Sequence, residues 1–207
     1  MRLLAALLAA SALFAADLPR VYYSKEFPRS IPAHVVVWVD RSGNGEYNDS
    51  PADQPPIRLQ LEPFETEAIF SLAEKLGYFS RPLESGLKVA FIGTKTFRYH
   101  DGATSHEVKF NYSQDPDAQL LLGWFERINE TAQHVINLER TAKFDHLGVD
   151  QALLQLQVTF ERNELVAARQ LLPILDRIAK NASLFNRARE RAATIAAAIR
   201  ARTDKTE

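Results

Sequence analysis

The run of residues 40–49, DRSGNGEYND, is the best candidate for a binding site in this sequence. Oxygen-bearing side chains alternate along the run, and a glycine stands at its sixth position, as in the calcium loop of an EF-hand. The candidate ligands are Asp40, Ser42, Asn44, Glu46 (through its backbone carbonyl) and Asn48. The spacing therefore allows a weak calcium site.

Three features of the same run favour a plain hairpin turn. The twelfth position of the pattern is Pro51, where an EF-hand has a bidentate glutamate. The third and fifth positions are neutral, and a valine-rich strand precedes the run in place of a helix. Serine, asparagine and glycine are also the residues that turns prefer. A turn is therefore the main interpretation, with calcium binding as the alternative and no other cofactor predicted.

Other catalytic patterns in the chain are incomplete. His106 and Glu107 start a zinc-helix pattern that lacks its second histidine, and they lie in a predicted strand. The chain has no cysteine, which excludes thiol nucleophiles and thiolate metal sites. No Gly-x-Ser-x-Gly elbow is present. A hydrolase built from distant residues stays open as an alternative.

The N-terminus has the pattern of a secretory signal. Met1 and Arg2 precede an apolar run over residues 3–16, which contains leucine, alanine, phenylalanine and one serine. Its 14 residues are fewer than the roughly 20 that a membrane span needs. We therefore expect a signal peptide over residues 1–16, export to the periplasm or the medium, and no membrane span after cleavage. Cleavage near residues 10–12 and cleavage after Ala15 or Ala16 both stay open.

Charge gives little information about partners. The formal net charge is -1, so no strong field favours nucleic acid or an anionic membrane. The last predicted helix carries clustered arginines that indicate a nucleic-acid contact, an acidic partner or a solvated helix face. These arginines are Arg187, Arg189, Arg191, Arg200 and Arg202. Glu190 interrupts the cluster and export argues against nucleic acid, so we predict no nucleic-acid partner.

The first half of the chain has the hydrophobic patterns of strands around one helix. Predicted strands cover residues 34–39, 57–61, 87–92, 94–100 and 103–112, with a return strand beginning at 46–48. Asp101-Gly102 predicts a hairpin that pairs His100 with Ala103 and places His100 and His106 on opposite faces. With a helix over residues 63–76, the predicted order is ββαββα. This order favours an α+β fold with a small, mostly antiparallel sheet.

The second half has helical stripes, which predict a C-terminal helical bundle. A long helix starts near residue 116, and further stripes cover residues 149–160 and 185–199. Between them, either a helix begins near Gln170 with Pro173 in its first turn, or a longer helix is kinked at Pro173. We expect an α+β domain over residues 17–130 and a helical region over 131–207 that shares the long helix.

Three features of the first half resemble an uncharacterised family of exported bacterial domains. They are the hairpin with Gly45-Glu46-Tyr47, the strand-and-helix entry at 61–76, and the hairpin over 97–110. The resemblance covers residues 21–128 and implies no activity. Because folding accounts for nearly every patterned residue, we expect a non-enzymatic binding module of the cell envelope. Its partner would be a protein or an envelope polymer; an envelope hydrolase and a weak calcium-binding protein are the alternatives.

Overall fold

The computed structural model describes residues 18–49, 55–102 and 104–203. The predicted signal peptide and Pro51 lie outside these ranges. The described chain is an α+β fold, as predicted, with one six-stranded antiparallel sheet. Within the described ranges, none of the helices has both the length and the apolar character that a membrane span requires.

The sheet has the strand order β4-β3-β2-β1-β5-β6. Every neighbouring pair of strands is antiparallel. The strands are β1 Arg20–Glu26, β2 His34–Asp40, β3 Asn44–Asn48, β4 Ile57–Gln60, β5 Thr94–Asp101 and β6 Thr104–Phe110. Four strands therefore precede the first helix, and the predicted ββαββα order is wrong in this part.

Two segments of the chain differ from the strands that the sequence predicts. No strand is predicted over Arg20–Glu26, yet β1 lies in the middle of the sheet between β2 and β5. The predicted strand over 87–92 does not form, and the backbone of this segment is instead bonded to the Asn111 side chain. The Ile92 N–H donates to Asn111 Oδ1 (2.8 Å), and Asn111 Nδ2 donates to the Ala90 carbonyl (3.1 Å).

The β5–β6 hairpin forms with a shifted register. Asp101 pairs with Thr104 and Tyr99 with His106, whereas the sequence predicts that His100 pairs with Ala103. The shift moves each cross-strand partner by two residues, and side chains alternate with a period of two. The predicted division of side chains between the two faces is therefore confirmed, with His100 and His106 on opposite faces.

The helices follow the predicted stripes closely. They are α1 Pro63–Lys75, α2 Pro116–Phe144, α3 Gly148–Glu161, α4 Leu172–Lys180 and α5 Asn186–Thr203. Asp115 caps α2 by accepting from the N–H groups of Asp117 and Ala118. Pro173 lies in the first turn of α4, which decides between the two predicted possibilities. Two 3-10 turns, Gly77–Phe79 and Ala168–Leu171, complete the helical elements.

Two apolar clusters form the core. The first lies between one face of the sheet and α1 with the first half of α2, where the rings of Tyr23 and Phe125 stack at 5.0 Å. The second fills the space among the end of α2, α3, α4 and α5. Val166 and Ala167, just before the second 3-10 turn, pack into the first cluster. The predicted division of the chain near residue 130 stays a prediction.

Candidate binding surface

The helices pack on one face of the sheet, so side chains on the other face point away from the core. One row of these side chains crosses all six strands in a continuous ladder. From β4 to β6 the row consists of Arg58, Glu46, Trp38, Tyr22, Arg98 and Glu107. Strands lie about 4.8 Å apart, so the row is roughly 24 Å long. We call it the aromatic–arginine row.

Cation–π contacts order the centre of this row. The Arg98 guanidinium lies over the Tyr22 ring at 4.3 Å, and the Arg20 guanidinium lies over the Trp38 ring at 4.7 Å. The Trp38 indole N–H donates to Glu46 Oε2 at 3.1 Å. Each such contact at an exposed site contributes about 0.5–1 kcal/mol, so the contacts favour these positions of the two rings and two cations on the open face. The surface is therefore arranged before any partner arrives.

The centre and the ends of the row differ in character. Its two middle positions are aromatic, whereas both ends carry an arginine and a glutamate in adjacent strands. Tyr22 and Trp38 are half-buried by their neighbours, and Arg98 is exposed. Tryptophan, tyrosine and arginine are the residues that carry most of the binding energy at protein interfaces. The row thus combines an aromatic centre with a charged rim.

Sequence reasoning missed this row because it missed β1. The segment RVYYSKE places Val21 and Tyr23 in the core and Tyr22 and Ser24 on the open face. Its valine and two tyrosines are strong β-formers, and this composition is the signal that could have identified the strand. The cross-strand neighbours of Tyr22 come from distant parts of the chain, so the row itself follows only from the register.

The 40–49 run forms a hairpin turn organised by one carboxylate. Asp40 Oδ1 accepts from Ser42 N (2.9 Å), Ser42 Oγ (2.7 Å) and Asn44 N (3.0 Å). Asn44 Nδ2 donates to Ser42 Oγ at 2.6 Å. Asp40, Ser42 and Asn44 are therefore brought together by bonds to one another, and Gly43 supplies the positive φ of 82° that the turn requires.

The other two predicted ligands lie along β3. Glu46 is opposite Trp38 and Asn48 is opposite Val36. An extended strand advances about 3.4 Å per residue, so Asn44 and Asn48 are separated by roughly 13 Å along the strand. This spacing does not bring the five predicted ligands around one point. In the part of the chain that the structure describes, no group of three histidine, aspartate or glutamate side chains is placed to hold a metal ion.

A cleft of about 320 Å³ opens between the β2–β3 turn and the start of α1. Ion pairs close it on two sides: Arg41 bonds Glu67 at 3.1 Å, and Arg169 Nε bonds Glu62 at 2.8 Å. Glu62 precedes the first turn of α1, and Arg169 belongs to the second 3-10 turn. The second pair therefore ties the second 3-10 turn to the start of α1.

Behind this cleft lies Glu65, which is only 4% exposed. Burial raises the pKa of its carboxyl from 4.5 to about 7, and the nearby Glu62 charge adds to this effect. Glu65 Oε2 accepts from the N–H of Glu62 (2.9 Å) and from that of Ala167 (3.1 Å). A buried carboxyl with a raised pKa beside a second carboxylate is a feature that functional sites share with structural networks. Here Glu65 bonds two backbone N–H groups, and these bonds join the start of α1 to Ala167.

The histidines are dispersed over the fold. His34, the first residue of β2, lies 3.9 Å from Glu26, and His100 belongs to the open face of the sheet. His134 on α2 is 3.1 Å from the Thr159 hydroxyl of α3, and burial lowers the pKa of its imidazole. The Thr159 hydroxyl also donates to the Gln155 carbonyl of its own helix. The contact between His134 and Thr159 therefore joins α2 to α3.

The C-terminal arginines contact neighbouring helices. Arg187 and Arg191 both bond Asp150 of α3, and Arg200 bonds Asp176 of α4 at 2.6 Å. The Arg202 guanidinium lies over the Phe160 ring at 4.2 Å. Arg189 Nε donates to the Ala179 carbonyl at 3.2 Å. All five arginines therefore help to fix α5 against α3 and α4.

Comparison with protein-family models, with curated proteins and with solved structures finds no match for this chain. The resemblance to exported bacterial domains over residues 21–128 stays a prediction. The geometry of the open face, and the residues that the register brings together there, are therefore the evidence that bears on function.

Proposed function

We propose that this chain is a non-enzymatic binding module whose open sheet face binds a protein partner. The observation that carries the proposal is the aromatic–arginine row. It places Trp38 and Tyr22 side by side, with Arg20 and Arg98 over their rings. Fixed aromatic and arginine side chains lose little conformational entropy on binding, which favours affinity.

The setting of this module is the cell envelope. The apolar run over residues 3–16 supports export, and the absence of cysteine is compatible with any redox compartment. In this proposal the helices after residue 131 form a bundle that holds the sheet from one side and leaves the open face accessible. Contacts among α2, α3, α4 and α5 support this arrangement.

An envelope polymer is the alternative partner. An anionic polymer would contact the two arginines, whereas a protein partner would also need the aromatic rings. Two substitutions distinguish a protein partner from a polymer partner, because Trp38→Ala removes aromatic area and Arg98→Glu reverses a charge. A protein partner loses affinity in both variants, and an anionic polymer loses it mainly in the second.

Site-specific photocrosslinking tests the proposal directly. A benzophenone amino acid replaces Tyr22 in the cells that make the protein, and crosslinked products are identified by mass spectrometry. The control carries the same probe at Phe144, which is 74% exposed at the end of α2. We expect a discrete protein adduct from position 22 and none from position 144. Equal yields at both positions, or no adduct at position 22, would refute the proposal.

The captured partner is then purified and titrated against the variants. We expect Trp38→Ala and Arg98→Glu each to weaken binding by roughly thirtyfold, the effect of losing one hot-spot residue. Arg140→Glu reverses an exposed charge on α2 and serves as the matched control, with unchanged affinity. Thermal unfolding of each variant confirms that the fold is retained.

A further inference from the structure

Strand β6 is the last strand on its side of the sheet, and the 3-10 turn Gly77–Phe79 contacts it. The rings of this turn pack against Tyr99 and Phe97, which lie on the core face and not on the outer edge. The opposite edge, β4, is contacted by the 3-10 turn Ala168–Leu171. Along β6, Ser105, Glu107 and Lys109 are exposed, and within the described ranges no strand pairs with its outer side. An edge of this kind presents unpaired backbone groups to another strand.

The register identifies which backbone groups of β6 face outward. Asp101 and Thr104 close the hairpin across a two-residue loop, and such closing pairs exchange hydrogen bonds. Hydrogen-bonded and non-hydrogen-bonded pairs then alternate, so Ser105, Glu107 and Lys109 direct their N–H and C=O groups away from β5. Asn111 continues this alternation, since its N–H donates to Glu84 Oε2 at 2.6 Å outside the sheet.

Charge selects one register for pairing β6 with a second copy of itself. Outward-facing residues must lie opposite outward-facing residues, so the symmetric centre falls on a residue and not between two. A centre on His106 places Glu107 opposite Ser105, which gives no charge pair. Centres on Glu107 or Lys109 place two like charges opposite each other, which is unfavourable. A centre on Val108 places each Glu107 opposite Lys109 of the second copy, which forms two complementary pairs.

An exposed apolar segment lies where this pairing would end. Leu87, Val89, Phe91 and Ile92 are each between 43% and 58% exposed. The Asn111 side chain holds this segment beside the end of β6. In the register centred on Val108 the pairing ends at Lys109, because the Asn111 N–H is already bonded to Glu84. Ser105 of the second copy then lies near Asn111, and the hairpin tip of that copy comes to lie beside the apolar segment. Exposed apolar patches of this kind mark interaction sites.

We propose that β6 pairs antiparallel with β6 of a second copy, centred on Val108, so that two sheets become one. Directly opposite residues share a face, so the open faces of both copies would join on one side of the combined sheet. A dimer would therefore present two aromatic–arginine rows together. The pairing itself does not depend on the proposed function of the row.

Charge reversal tests both the dimer and its register. Sedimentation velocity over a wide concentration range should show a monomer–dimer equilibrium for the unaltered chain. Glu107→Lys and Lys109→Glu should each weaken dimerisation roughly tenfold or more, because they create two like-charge pairs. The double variant Glu107→Lys with Lys109→Glu should restore it, and a mixture of the two single variants should form a heterodimer. Glu74→Lys, an exposed reversal on α1, is the matched control.

The absence of cysteine allows a second, covalent test. Two residues on the symmetry centre form a non-hydrogen-bonded pair with Cα atoms about 4.5 Å apart, which a disulfide can bridge. Oxidation of Val108→Cys by diamide should give a disulfide-linked dimer, and Ser105→Cys should stay monomeric. A chain that is monomeric at every concentration would overturn the proposal. Association that both single charge reversals leave unchanged would also overturn it. The same holds if the chain associates with a different protein instead of a second copy.

Discussion

The ionisation of Glu65 should set the pH dependence of stability. This carboxyl is 4% exposed and joins the start of α1 to Ala167, which is 102 residues away in the chain. Burial raises its pKa to about 7 in the folded protein. The folded state therefore holds this proton more tightly than the unfolded state does, and the contribution of Glu65 to stability falls as pH rises.

The size of this effect follows from the two pKa values, 4.5 unfolded and about 7 folded. Each pH unit between them lowers the free energy of unfolding by about 1.4 kcal/mol. From about pH 5 to about pH 8 the loss is therefore about 2 to 3 kcal/mol. This loss of unfolding free energy is absent at pH values below the unfolded pKa of 4.5. It is complete at pH values above the folded pKa of about 7.

Glu65→Gln removes the ionisation and keeps an oxygen that can accept from the Glu62 and Ala167 N–H groups. Urea unfolding is measured for both proteins at several pH values between about 5 and 8. We expect the free energy of unfolding of the variant, relative to the unaltered chain, to rise by about 2 to 3 kcal/mol across this range. Using the difference cancels the opposite contribution of His134, whose pKa is lowered by burial.

The control for this experiment is Glu74→Gln, which removes an exposed carboxyl from the same helix. Its difference curve should stay within about 0.5 kcal/mol, as for most surface substitutions. If the curves of Glu65→Gln and of the unaltered chain run parallel over the whole pH range, the buried carboxyl is not the group that titrates. The structural reasoning about Glu65 would then be wrong.

Four further predictions concern the turn, a buried network and the second core. Asp40→Ala should lower stability by about 1–3 kcal/mol, because Oδ1 accepts three hydrogen bonds. Millimolar calcium should leave the thermal midpoint unchanged; a rise that Asp40→Ala abolishes would instead reveal a calcium site. Tyr47→Phe should lose about 1–3 kcal/mol in urea unfolding, since it leaves Asn129 and Gln133 without their bonds to the Tyr47 hydroxyl. Leu153→Ala, at a fully buried position on α3, should lose about 2–5 kcal/mol, and a loss below about 1 kcal/mol would contradict the packing of the second core.

The candidate surface shows the limit of reading a site from sequence. The 40–49 run has local spacing that suggests ligands, and the structure uses Asp40 and Ser42 of this run in a turn. The aromatic–arginine row has no local spacing at all, because Tyr22 meets Trp38 and Arg98 only across strands. Such a row depends on register, and register depends on how the whole sheet assembles.

The sequence by itself determined the features that depend on neighbours along the chain. Hydrophobic periodicity set the helices, the alternation of side chains set the two faces of the β5–β6 hairpin, and Asp115 set the start of α2. Tertiary structure decided the central place of β1, the exclusion of residues 87–92 from the sheet, and the burial of Glu65 against Ala167. These outcomes depend on contacts between residues far apart in sequence, which local propensity and spacing do not encode.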